Sequence, residues 1–281
     1  MNFINKNKNQ EDLEVLGKIC FDTLTSTLDI KQQSNNFCGI YFDGRDRDIN
    51  AIEDFSVVHS FKNFSEYNYP IFIFSPNSNN LLNNDPRYKN ARIEHIKIPI
   101  QDSHDKYSQF MLEEIWKYLP KGFENLLFFH PDGFLIKNGW ESFVLDNKLK
   151  YVGSAWCHNP SIEINDNGNW RNMGFPSIRC GNGGFSFRSR SACEEASKRY
   201  SKSIIREYGT NGTRVAEDLF YSHIINGIFE EGSVANIQQC MQFSLDPITL
   251  KEYNSKLSFG FHYPKKVNEF QNYRDYYLNI K

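Results

Sequence analysis

Between residues 37 and 130, short apolar runs alternate with helix-spaced segments, and few architectures accept that alternation. FCGIYF (37–42), IFIFS (71–75), ARIEHIKI (91–98) and LLFFH (126–130) are stretches of strand length rich in aliphatic and aromatic residues. The continuous apolar runs among them, FCGIYF, IFIFS and LLFFH, are of the kind buried on both faces. Between them Ile49, Ile52, Phe55, Val58, Phe61 and Phe64 recur every three residues, which fits a helix, with VVHSF as an alternative strand. Residues 77–90 are rich in Asn and read as a loop. Tyr107, Met111, Ile115 and Tyr118 put one apolar face on a helix expected to start at an Asp102 cap. Four strands separated by helices predict βαβ units and a mostly parallel central sheet flanked by helices, an α/β Rossmann-like domain. Ligands of such sheets bind beyond the carboxyl ends of the strands. Chemistry is therefore expected at Asp43–Arg45 after the first strand and at His130–Asp132 after the fourth.

The second half is less regular. YVGSAW (151–156) reads as a strand, and 158–179 as a long polar loop carrying Trp170 and Phe175, of a length that suits a lid. The glycine-rich GNGGFSF (181–187) precedes a helix that Ser191 and Glu194 would open with capping-box spacing. A further helix starts at Glu217-Asp218, and the tail contains FGFHYP (259–264). Residues 11–29 space Leu13, Leu16, Ile19, Cys20, Leu24 and Leu28 as an amphipathic helix, either a homodimer contact or packed on the domain. No internal repeat or linker divides the chain.

Composition excludes several classes. Lys and Arg total 32 against 34 Asp and Glu, a net charge of -2, so nothing favours a nucleic-acid partner. With 40% hydrophobic and 23% charged residues, the chain is not composed like a disordered one. No run approaches the length of apolar residues that spans a bilayer, and no apolar segment of signal-peptide type follows the polar N-terminus. The six cysteines (20, 38, 157, 180, 193 and 240) form no CxxC pair, as expected of free buried thiols in a cytoplasmic protein.

Four places carry residues suited to chemistry, each with a structural rival. Asp132, in His-Pro-Asp-Gly, would suit a divalent cation or a sugar phosphate, or would simply serve a turn. Gly181-Asn-Gly-Gly184 would expose amides to a phosphate or sugar, or would form a tight turn; it matches neither GxGxxG nor a Walker loop. Arg188 and Arg190 follow it. Glu217-Asp218 would supply a general base, or would cap a helix dipole. His262 would be a ligand or a packed core histidine.

Taken in order, LLFFHPDGFLI, YVGSAW, GNGGFSFRSR, AEDLFYS, FSLD and FGFH resemble the bacterial and viral DUF5672 family, whose members look like compact GT-A-fold glycosyltransferases. The resemblance covers 37–264 and leaves 1–30 as an N-terminal extension and 265–281 as a C-terminal tail. It implies a nucleotide-sugar donor (UDP-, GDP- or dTDP-linked) and a glycan or glycoconjugate acceptor. It puts Asp43, Arg45, His130, Asp132, Asn182, Gly183 and Gly184 at the donor, and makes Asp218, with Glu217, the base of an inverting transfer. A divalent cation, Mn²⁺ or Mg²⁺, would sit on Asp132 and His262, although His130 stands where the first Asp of the Asp-x-Asp motif would be. The competing readings are a catalytically inactive glycan- or nucleotide-sugar-binding module and a nucleotidyltransferase.

Overall fold

The computed structural model describes residues 36–46, 60, 69–76, 92–131, 133–135, 138–156, 160–173, 180–200, 202–209, 215–245 and 258–262. The helices expected over 11–29 and, apart from Ser60, 49–64 lie outside these residues, as do the 77–90 loop, Asp132, Cys20 and Cys157. In chain order the strands are β1 (Phe37–Phe42), β2 (Ile71–Ser75), β3 (Ile93–Lys97), β4 (Asn125–Phe129), β5 (Gly133–Leu135), β6 (Tyr151–Ala155), β7 (Ile162–Asp166), β8 (Asn169–Asn172), β9 (Cys180–Ser189), β10 (Ile205–Glu207), β11 (Ser244–Leu245) and β12 (Gly260–His262). The helices are α1 (His104–Gln109), a π turn (Phe110–Glu114), α2 (Ile115–Tyr118), α3 (Trp140–Asp146), α4 (Arg190–Tyr200), α5 (Glu217–Ile228) and α6 (Ile237–Phe243). None is long and apolar enough to cross a membrane.

The main sheet has the order β3-β2-β1-β4-β9-β6. Strands β1 to β4 run parallel, with Gly39 set between Ile71 and Leu127, while β9 is antiparallel to both β4 and β6. The expected α/β class with a mostly parallel sheet is what the chain forms. Helices cover both faces, which is why β1, β2 and β4 are largely apolar, whereas the edge strand β3 (IEHIK) is only partly buried. Cys38, Ile40, Phe42, Phe72, Phe74 and Phe128 pack under Phe110, Met111 and Ile115, and Tyr41, Ile73, Leu127 and Phe129 belong to the core on the other face. Each such fully buried side chain stabilises the fold by about 1.5–3 kcal/mol. Cys38, Cys180, Cys193 and Cys240 are buried free thiols.

Several local expectations need correction. The stretch 158–179, expected as a loop, contains the β7–β8 hairpin, closed by Asn167 (φ 52°) and Gly168 (φ 88°). Two consecutive left-handed residues are what a type I′ turn requires, and Asn-Gly supplies them. Strand β10 pairs with the other edge of β7, so Ile162, Ile164 and Ile205 share a buried face. The glycine run belongs to β9 and forms no loop; its pairing with β6 shifts register around Ser154. Helix α1 is capped by Ser103, whose hydroxyl accepts the Lys106 amide at 3.2 Å; Asp102 instead pairs with Lys106 Nζ at 2.7 Å. Ser191 lies inside α4, its amide held by the Glu124 carboxylate, and the capping box is at Asn236 and Gln239.

Candidate functional site

A cavity of about 540 Å³ opens at the carboxyl edge of the sheet. Strand β1 delivers Asp43 and Arg45, β4 delivers His130, β9 delivers Asn182, Gly183 and Gly184, the start of α5 delivers Glu217 and Asp218, and β12 delivers His262. These nine expected residues, spread over 220 positions of sequence, line one space. Asp132 is outside the described residues. Phe42, Gln101, Asp102, Ser103, His104 and Tyr107, which nothing in the sequence marks as site residues, complete the wall with Gly44 and Pro131.

The carboxylate pair is held from several sides. Glu217 Oε1 accepts from Tyr107 Oη at 3.0 Å and from Arg188 Nη2 at 3.2 Å. Arg188 is fully buried in β9, its Nε bonded to Ser186 Oγ at 3.1 Å and its guanidinium 4.3 Å from the centre of the Phe128 ring. The Tyr107 hydroxyl also meets His130 Nε2 at 2.8 Å. Since the single phenolic hydrogen goes to Glu217, the imidazole donates at Nε2. Burial, then the charge of Glu217, pushes the Tyr107 phenol well above its usual range, so it remains a donor at any working pH. Asp218 faces the cleft with Oδ2 on the Gly183 amide at 3.1 Å and Oδ1 on the Leu219 amide at 2.7 Å. The protein around it, and next the Glu217 charge, raise its carboxyl to about 7. Desolvation and a neighbouring like charge both disfavour the carboxylate form.

The glycines of β9 are required by close approach. A Cβ on Gly183 would lie 2.5 Å from Glu217 Oε1 and 2.9 Å from Arg188 Nη2, and one on Gly184 would enter the His262 ring. Asp43, 6% exposed, accepts from the Arg45 guanidinium through both oxygens, at 2.7 and 3.0 Å. That ion pair rims the cleft with its charges matched.

No three His, Cys, Asp or Glu side chains gather into a metal site among the described residues. The β5–β12 register sets His262 opposite Gly133, the chain neighbour of Asp132.

A mostly parallel sheet with a carboxylate pair at its carboxyl edge defines a Rossmann-like α/β protein with a polar cleft. The chain belongs to the family described as "Protein of unknown function (DUF5672)", whose profile matches residues 90–262. Among solved structures it is similar to core-mannan synthase A from Aspergillus fumigatus in its Mn/GDP form, with TM-score 0.45 and 10% identity over 75% of this chain and 74% of that one. It is also similar to an active-site mutant of LgtC, with TM-score 0.44 and 10% identity over 85% and 95%. A third similarity is to 4-diphosphocytidyl-2C-methyl-D-erythritol synthase from Anaerococcus prevotii, with TM-score 0.39 and 12% identity over 70% and 84%. No curated protein matches the sequence.

Proposed function

We propose that this protein is a glycosyltransferase of GT-A type, spanning residues 37–264, which moves a sugar from a nucleotide-sugar to a glycan or glycoconjugate hydroxyl with inversion. The observation that carries this reading is Asp218: a carboxylate aimed into a cleft, fixed by two amides and raised to about 7. A general base works best with its pKa near the working pH.

In this mechanism Asp218 takes the proton of the acceptor hydroxyl while that oxygen attacks the anomeric carbon. The carbon–oxygen bond to the diphosphate breaks on the opposite face, and its electrons leave with the nucleoside diphosphate. Glu217 does not act as the base: both Tyr107 and Arg188 bind its Oε1. Its role is to orient Tyr107 and to hold up the Asp218 pKa. Asn182 and the amide edge of β9 would face the donor sugar, and Asp43, Arg45 and His130 the nucleotide and its phosphates. A divalent cation on His262 and Asp132 would supply charge neutralisation at the leaving diphosphate.

The test is thermal shift and slow donor hydrolysis with UDP-, GDP- and dTDP-sugars, each with Mn²⁺, Mg²⁺ or EDTA. A shift for one donor, with hydrolysis lost in Asp218→Asn, supports the transferase. A shift that survives in Asp218→Asn, with no hydrolysis by either protein, makes it a binding module. Absence of any shift overturns the donor site.

A further inference from the structure

A second cavity, of about 600 Å³, is built on the same two elements that carry Tyr107 and the carboxylates. Ser108, Leu112 and Glu113 enter it from α1 and the π turn, and Val215 and Phe220 enter it from either side of Glu217-Asp218. Three features separate it from an incidental surface hollow.

The first is Ser108. It is 1% exposed, it lines the cavity, and its hydroxyl has no hydrogen-bond partner among the described residues. Buried hydroxyls are rarely left this way, and those that are call for a specific reason. A polar ligand atom would supply the missing bond.

The second is the π turn, Phe110–Glu114, inside an otherwise α-helical run. Such turns insert a residue at a local cost and are concentrated at functional sites. Here the inserted turn carries Leu112 and Glu113 to the cavity.

The third is the chemistry of the lining. Leu112, Ile205, Val215 and Phe220 make an apolar floor, while Gln109 and Glu113, joined at 3.2 Å, put a carboxamide and a carboxylate side by side on the rim. A sugar ring has the matching surface, with an apolar C–H face and a hydroxyl periphery. The volume falls in the range of small-molecule sites.

We propose that this cavity is the acceptor subsite and that the acceptor is a glycoside. The inference rests on the glycosyltransferase reading and names the substrate class for it. Only Ala216 separates Val215 on the cavity floor from Glu217 in the donor cleft, so the two cavities flank the same start of α5.

The probes are p-nitrophenyl glycosides of glucose, galactose, mannose and N-acetylglucosamine, titrated against the full chain by saturation-transfer NMR. At least one is expected to bind. Ser108→Ala is expected to weaken it about tenfold while keeping or raising Tm, because the hydroxyl it removes has no partner among the described residues. Gln109→Ala is expected to weaken it by a similar factor. Failure of every glycoside to bind overturns the inference, as does binding that both variants leave unchanged. The nucleotide-sugar thermal shift reports on the donor cleft separately. A donor shift without glycoside binding sinks the acceptor subsite alone. Glycoside binding sensitive to Ser108 without any donor shift sinks the transferase and leaves a glycan site.

Discussion

Gly183 donates its backbone hydrogen to Asp218 Oδ2 at 3.1 Å, joining the middle of β9 to the first turn of α5 across 35 residues. The bond exists because nothing stands on the Gly183 Cα: a methyl there would meet the Glu217 carboxylate and the Arg188 guanidinium. Glycine within a strand weakens it and marks a place where other atoms approach closely. The GNGG run is thus a stretch of strand almost bare of side chains, on which two helix-borne carboxylates rest. It fixes where Asp218 points, and it does so with backbone geometry.

The direct consequence concerns Asp218→Asn. The amide keeps the size of the carboxylate and can still accept the Leu219 hydrogen, losing only the bond from Gly183, so the cleft should remain built. Turnover is expected to fall by roughly 10²–10⁴-fold, the usual contribution of a positioned base. The donor's thermal shift should stay close to that of the wild type. A variant that transfers sugar at the wild-type rate would remove Asp218 from the mechanism.

The raised Asp218 carboxyl has a sign in both rate and stability. Transfer needs the ionised form, so the rate should rise with pH up to about 7 and level off above it. Because the Glu217 charge contributes to the raised value, Glu217→Gln should move that limb to lower pH. For stability, the folded chain holds this proton more tightly than the unfolded one. The contribution is fully present below the ordinary Asp value of 3.8 and is lost as pH rises through about 7. Relative to wild type, Asp218→Asn should therefore gain stability between pH 4 and 7 in urea titrations, and a flat difference would contradict this.

How far the sequence discloses the site depends on the range of the contact. Strands β1, β2 and β4 are legible because burial on both faces demands nearly unbroken apolar runs, and the carboxyl ends of β1 and β4 then locate Asp43 and His130. The carboxylates are legible as a pair, but their supports are not. Tyr107 sits on a helix face that reads as core, and it meets Glu217 110 residues away. The glycines read as a turn because the reason for them, the Arg188, Glu217 and His262 side chains crossing β9, is tertiary. The hairpin of β7 and β8 has its signature in Asn167-Gly168, but β8 is exposed at every residue and carries no apolar alternation that marks a strand. The π turn leaves no local signal, since Tyr107, Met111, Ile115 and Tyr118 fit ordinary helical spacing.

Arg188 and Glu217 form an ion pair with side chains 0% and 3% exposed. Removing one partner of such a pair leaves the other charge buried, at a cost of about 3–5 kcal/mol. Arg188→Met should approach that figure in urea unfolding. Adding Glu217→Gln should recover a large part of it, since the double variant leaves no uncompensated charge. Strict additivity of the two changes would mean that the pair is not coupled as the 3.2 Å contact requires.

His262 tests the cation. Its ring lies over Gly184, and the β12 register brings it across from Gly133, next in the chain to Asp132. If these two residues hold Mn²⁺ or Mg²⁺ on the donor diphosphate, His262→Ala should weaken the metal's enhancement of donor binding in the thermal-shift assay about tenfold, while metal-free donor binding changes little. Gly184→Ala should mimic it: the new methyl must push the imidazole aside, at a cost of about 1–3 kcal/mol in stability as an overpacked contact. The two variants differ in a useful way. His262→Ala deletes a ligand and leaves space, whereas Gly184→Ala keeps the ligand and displaces it. Equal loss of the metal effect in both would tie it to the position of the ring. A full metal effect in both would separate His262 from the cation and leave the histidine as packing on β9.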